Sequence, residues 1–145
     1  MSRKSVEQVR GAYDAVNRGD PGPILELLDP EIEWIEPDGA PGVGGREPGS
    51  GRFIGRDEVM SGVFELLAGR LWADFRVEPD EVLDAGEQVV VLGRLSATVP
   101  GTDRRVESPF AHVWWLRGGV CTRWRCYEDT FVLHDARAAW GLGRR

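Results

Sequence analysis

The sequence predicts a single α+β domain in which helices pack on a curved antiparallel sheet, the two together enclosing a pocket for a small organic molecule. Three observations lead there. Apolar residues recur at helical spacing in the first half, the period changes to that of strands after Phe75, and glycine-bearing turns separate the later segments at hairpin distances. Helices first and a β-meander afterwards favour helices on one face of a sheet over an alternating parallel fold.

Ser5 and Gln8 form a capping-box pattern, and Val6, Val9, Tyr13 and Val16 continue at helical spacing until Gly19 and Pro21 stop it, which predicts a helix over 6–18. Pro23 at a first turn, followed by Ile24, Leu25, Leu27 and Leu28, predicts a second, short helix. Beyond it Ile32, Trp34 and Glu36 share one face of a strand, with Glu33 and Ile35 on the other. Residues 37–55 hold seven glycines and three prolines, too many for regular structure, and are expected to be a long loop. Val59, Val63, Leu66 and Leu67 mark a third helix. Strands are predicted over 75–83, 88–99, 104–117 and 120–131, with turns at Gly86, at Pro100–Gly101 and at Gly118–Gly119, and a short helix over 131–140 ends the chain. The strand from Phe110 to Leu116 is apolar on both faces. Helices cover one side, so a second copy of the chain is expected on the other, as a homodimer.

With 145 residues, 41% hydrophobic and 29% charged, the chain suits one domain over 1–145. A net charge of −6 disfavours nucleic acid and anionic membrane surfaces as partners. No stretch reads as a signal peptide or membrane span, so the cytoplasm is expected. Cys121 and Cys126, on one strand, are expected ~16 Å apart on opposite faces and therefore unbridged. Two histidines and no clustered Cys/His spacing argue against a metal site. Neither a phosphate-binding glycine motif nor a Gly-x-Ser-x-Gly elbow occurs, and no cofactor is expected.

Glu36, beside Trp34 on a pocket-facing strand, is the leading general-base candidate, because an apolar setting raises a carboxyl pKa into a useful range. Arg94 follows Val90 and Leu92 and precedes Ser96, a gradient that suits a pocket with a polar floor. There Arg94 and Ser96 would hold a substrate oxygen, or Arg94 would pair with Glu36 or Glu128. On the last strand Trp124, Cys126 and Glu128 share a face unless a bulge resets the phase. Glu128 is a second acid and Cys126 a lining residue; Trp34 and Trp124 offer walls for a flat ligand. His112 is a buried or ligand-facing histidine among Phe110, Trp114 and Leu116.

The order of elements, Gly55-Arg-Asp-Glu-Val, Phe110-Ala-His-Val-Trp-Trp-Leu-Arg-Gly-Gly-Val and Arg123-Trp-Arg-Cys-Tyr-Glu-Asp-Thr together resemble the SnoaL-like polyketide cyclase family. That family lies within the nuclear transport factor 2-like superfamily, beside ketosteroid isomerases and limonene epoxide hydrolases. The resemblance implies a cone-shaped, cystatin-like roll with three N-terminal helices, commonly dimeric. It also implies positions for chemistry. Glu36 before Pro37 matches the isomerase aspartate, the isomerase's second acid falls at Ala111, and its helix tyrosine falls one residue from Tyr13. Arg94 matches the hydrolase arginine, whose two aspartates fall at Ser96 and Cys126, and the cyclase aspartate also falls at Cys126. No set is complete. The expected function is a cofactor-independent isomerase, cyclase or lyase acting on an apolar carbonyl compound; the alternative is a non-catalytic ligand-binding or dimerisation module.

Overall fold

A computed structural model of the chain describes residues 3–37, 51–68 and 71–143, with side chains through residue 137. Helices α1 (Arg3–Asn17) and α2 (Gly22–Leu27) precede strands β1 (Leu28–Glu36) and β2 (Gly51–Ile54). A continuous helical run follows, made of α3 (Arg56–Val59), a π-helical turn (Met60–Phe64) and α4 (Glu65–Leu67). The strands β3 (Ala73–Asp84), β4 (Gln88–Thr98), β5 (Arg105–Arg117) and β6 (Val120–Glu128) come next, and α5 (Thr130–Gly143) closes the chain.

The strands form one curved, unclosed sheet in the order β2-β1-β6-β5-β4-β3. The expected antiparallel meander holds from β3 to β6, and β1 joins it parallel to β6 while pairing antiparallel with β2. Helix α1 buries Val9, Ala12 and Tyr13 at the three- and four-residue spacing of one helical face. Its last residue, Asn17, both donates to Val77 O (2.9 Å) and accepts from Val77 N (2.8 Å), which ties the helix to β3. The same two bonds occupy backbone groups on the outer edge of the sheet, where an unpaired strand would otherwise invite association. Leu28 and Ile32 of β1 are fully buried. Each contributes about 1.5 to 3 kcal/mol relative to exposure.

Two expectations need correction. The glycine-rich segment was expected to be irregular throughout 37–55, yet residues 51–54 form β2, with Trp34 opposite Phe53 and Glu36 opposite Gly51. Pairing to an existing strand overrides the low strand propensity of one glycine; residues 38–50 lie outside those described. The cysteines were expected on opposite faces, but both are buried on the inner face, and both are free thiols. Leu116 pairs with Cys121 while Trp115 pairs with Arg123, so Thr122 is an extra residue in β6 that resets the alternation.

Candidate functional site

The inner face of the sheet, α1, the α3–α4 run and α5 enclose a cavity of about 150 Å³. Its walls are apolar, with Val63, Phe64 and Leu67 from the helical run and Val77 and Leu95 from the sheet. Val63 and Phe64 both come from the π-helical turn, where both are buried. On the far side Asp129 caps α5 by accepting from Val132 N (3.0 Å), and Ser108 of β5 accepts from Asp129 N (2.8 Å). Those bonds seat α5 so that Thr130, Leu133, His134 and Arg137 line the cavity. Arg137 also stacks over Trp72, 5.6 Å from the ring centre.

Three polar groups gather at one end. Carboxyl oxygens of Glu36 and Glu128 and the Cys126 sulfur all lie within 4.8 Å of one another. Trp34 Nε1 donates to Glu36 Oε1 (2.9 Å), and the Cys126 thiol donates to Glu128 Oε2 (3.5 Å). The surface that the two glutamates retain borders the cavity. Burial raises the Glu36 pKa well above the ordinary 4.5, and the charge of Glu128 raises it further. Burial likewise raises Glu128, and it raises Cys126 well above 9, where both carboxylates add to the effect. Two carboxyls this close in an apolar setting disfavour ionisation of both at once. The three donors are close enough to share a cation. Any such ion would have to displace the protons that burial favours on them.

A second polar chain runs along the floor. Trp114 Nε1 donates to the Tyr13 hydroxyl (3.0 Å), which lies 2.7 Å from His112 Nδ1. His112 is held between Phe110 and Trp124, at ring distances of 4.0 and 4.5 Å, and Trp124 stacks on Trp34 at 3.6 Å. Burial lowers the His112 pKa to about 3, so the ring is neutral at ordinary pH.

Of the residues singled out in the sequence, Tyr13, Trp34, Glu36, His112, Trp124, Cys126 and Glu128 line this one cavity. Arg94 and Ser96 do not. Arg94 is exposed, and the inner face of β4 carries Val89, Val91, Gly93, Leu95 and Ala97 instead. The phase could not be read from the alternation because residues 89–92 are apolar on both faces. A glycine at 93 hid it further: Phe110 fills the space where its side chain would be, so that a Cβ there would lie 2.7 Å from the ring. Sequence reasoning missed Arg137 and His134, whose only signal was their position four and one residues after Leu133 on the terminal helix.

The SnoaL-like domain model matches residues 9–124. The chain is a member of the SnoaL-like family. A nuclear transport factor 2-like protein from Burkholderia thailandensis is 30% identical with a TM-score of 0.79, over 93% of this chain and 98% of that one. TerC, co-crystallised with polyporic acid, is 25% identical with a TM-score of 0.78, over 92% and 98%. IdmH of Streptomyces antibioticus, a candidate polyketide cyclase, shares the fold at 20% identity and a TM-score of 0.70, over 94% and 99%. No curated protein matches the chain. For a SnoaL-like domain the expected roll with a pocket between helices and sheet is therefore the architecture present, and this chain furnishes that pocket with its own polar groups.

Proposed function

We propose that this SnoaL-like protein is a cofactor-independent enzyme that moves a proton on a compact, mostly apolar carbonyl compound, as isomerases, cyclases and lyases of carbonyl substrates do. The observation that carries the reading is the pair of buried carboxyls, Glu36 and Glu128, meeting at the end of an apolar cavity. An ionised carboxyl there removes a proton from the carbon next to the carbonyl, and the protonated partner returns one elsewhere on the skeleton. Both roles need pKa values nearer neutrality than a free glutamate has, which burial supplies here. The cavity size suits a ligand of one or two rings. That TerC, of the same fold, was co-crystallised with polyporic acid supports an organic molecule as the ligand.

The test is exchange of the α-hydrogens of 2-tetralone, a two-ring ketone, in deuterated buffer. The wild-type protein should accelerate exchange, and Glu36→Gln and Glu128→Gln should each reduce the acceleration by about 10²-fold. Exchange no faster than with the double variant rejects the reading and leaves a non-catalytic binding module. We further propose a homodimer through the outer face of the sheet, where Ala111, Val113 and Trp115 are only half-buried and where cations lie over aromatic rings, Arg123 on Trp115 and Arg125 on Tyr127. Light scattering on a sizing column that gives a pure monomer at micromolar concentration rejects it. Among the described residues no helix is long and apolar enough to cross a membrane. With free cysteines as well, the cytoplasm is the location we propose.

A further inference from the structure

We infer that His112 is the cavity's hydrogen-bond donor to a ligand oxygen, presenting Nε2–H, and that Tyr13 and Trp114 are positioning residues that hold it in that tautomer. Hydrogen bonds around one oxygen set the tautomer. The Tyr13 hydroxyl is buried, 2% exposed, and Trp114 Nε1–H already occupies one of its lone pairs. Trp124 Nε1 also approaches that oxygen closely enough to favour charge on it, without reaching ordinary hydrogen-bond geometry. With indole donors crowding the oxygen, the hydroxyl hydrogen needs an acceptor, and the nearest in place is His112 Nδ1 at 2.7 Å. Nδ1 is thus an acceptor, and the single ring proton of a neutral imidazole resides on Nε2.

His112 lines the cavity, and among the described residues no hydrogen bond is made by Nε2. The ring is packed against Phe110, stacked at 4.0 Å, and against Trp124, tilted at 4.5 Å, and its Nδ1 is tied to Tyr13, which limits the orientation of its other edge. The titratable and charged groups that share the cavity with it are Tyr13 from α1, Cys126 and Glu128 from β6, Glu36 from β1, and His134 and Arg137 from α5. Burial keeps the imidazole neutral, which makes it a donor that does not surrender its proton.

This assignment extends the proton-transfer reading and rests on it for its catalytic consequence alone. When the ionised carboxyl takes the α-proton, the C–H bond breaks, its electron pair forms the carbon–carbon double bond of the enolate, and the C=O π pair moves onto the carbonyl oxygen. The new O–H is on the glutamate. The oxygen carries the negative charge, and the hydrogen bond from Nε2–H strengthens as that charge develops, with the proton remaining on nitrogen. The ligand class this fits is a flat carbonyl compound whose oxygen lies at the histidine while its acidic carbon lies at the glutamates.

The chain has two histidines, so their ring nitrogens can be assigned in a ¹⁵N-labelled sample. In the wild-type protein His112 should show a protonated Nε2 and an unprotonated Nδ1 from pH 5 to 8. Tyr13→Phe should introduce the Nδ1–H form. A wild-type spectrum with the proton on Nδ1, or one that titrates near pH 6.5, overturns the assignment without recourse to any variant. The ligand probe is 2-hydroxy-1,4-naphthoquinone at millimolar concentration, a stable stand-in for an enolate. Binding should move the Nε2–H proton resonance downfield, and His112→Phe should weaken binding about tenfold or more. An unmoved resonance, unchanged affinity in the variant, or no binding of the probe each overturns the donor role. A wild-type protein that accelerates no exchange yet shows the resonance shift overturns the proton-transfer reading alone, whereas glutamate-dependent exchange with an unmoved resonance overturns the donor role alone.

Discussion

The carboxyl of Glu36, at the end of β1, meets that of Glu128, at the end of β6, within 4.8 Å. The parallel pairing of those two strands sets Trp34 opposite Trp124, and Glu128 lies two residues further along β6 than Glu36 does along β1. Two acids close together at the ends of neighbouring strands, facing the same apolar space, are an expensive arrangement for a fold to maintain, and it leaves marks that can be measured.

The first is in the pH dependence of stability. Both glutamates have pKa values raised in the folded state, so the native protein holds these protons more tightly than the unfolded chain does. Their contribution is complete below the ordinary 4.5 and is lost as pH climbs through the folded values. His112 acts in the opposite sense. Its pKa is lowered from 6.5 to about 3, so its contribution is present above 6.5 and is lost as pH falls toward 3. Urea unfolding from pH 4 to 9 should show Glu36→Gln gaining on the wild type as pH rises. Parallel curves for the two proteins contradict the shared burial.

A second mark is a silent thiol. Burial raises the Cys126 pKa well above 9, and the two neighbouring carboxylates add to the effect. Burial pushes Cys121 up to about 12. Iodoacetamide at pH 8 should leave both unmodified in the native protein and label both in urea. Rapid labelling of native Cys126, read by mass spectrometry, is the adverse result.

Gly93 faces Phe110 across β4 and β5, and Phe110 in turn supports the ring of His112. A Cβ at position 93 would lie 2.2 Å from Glu78 O and 2.7 Å from the Phe110 ring. Gly93→Ala should therefore cost about 1 to 3 kcal/mol in urea unfolding. It should also weaken naphthoquinone binding, because the strain is relieved through Phe110 into the cavity floor. A variant as stable as the wild type would show that this close approach is not enforced.

Arg94 gives the contrasting case. Its side chain is exposed on the outer face, away from the cavity. Arg94→Ala should leave 2-tetralone exchange within about twofold of the wild type, since surface substitutions away from a site seldom perturb it. A loss comparable to that of Glu36→Gln would return the arginine to the site.

The amino-acid sequence by itself determined the class of fold, the helices-then-meander order apart from β2, and the face of β1, because strict alternation at Ile32, Trp34 and Glu36 leaves only one way to bury the apolar members. It also placed Trp124, Cys126 and Glu128 together, since their spacing of two survives downstream of the bulge at Thr122. Tertiary structure alone decided which face of β4 is interior: four consecutive apolar residues carry no phase, and Gly93 owes its inward position to a ring from the next strand. The partnership of Tyr13 with His112, 99 positions apart, was equally beyond the sequence, for periodicity places a residue on a face but distances across a cavity depend on how the sheet curls around it. The seat of α5, which brings Arg137 to the cavity wall, follows from a cap at Asp129 and an anchor at Ser108 that a linear reading has no means of joining.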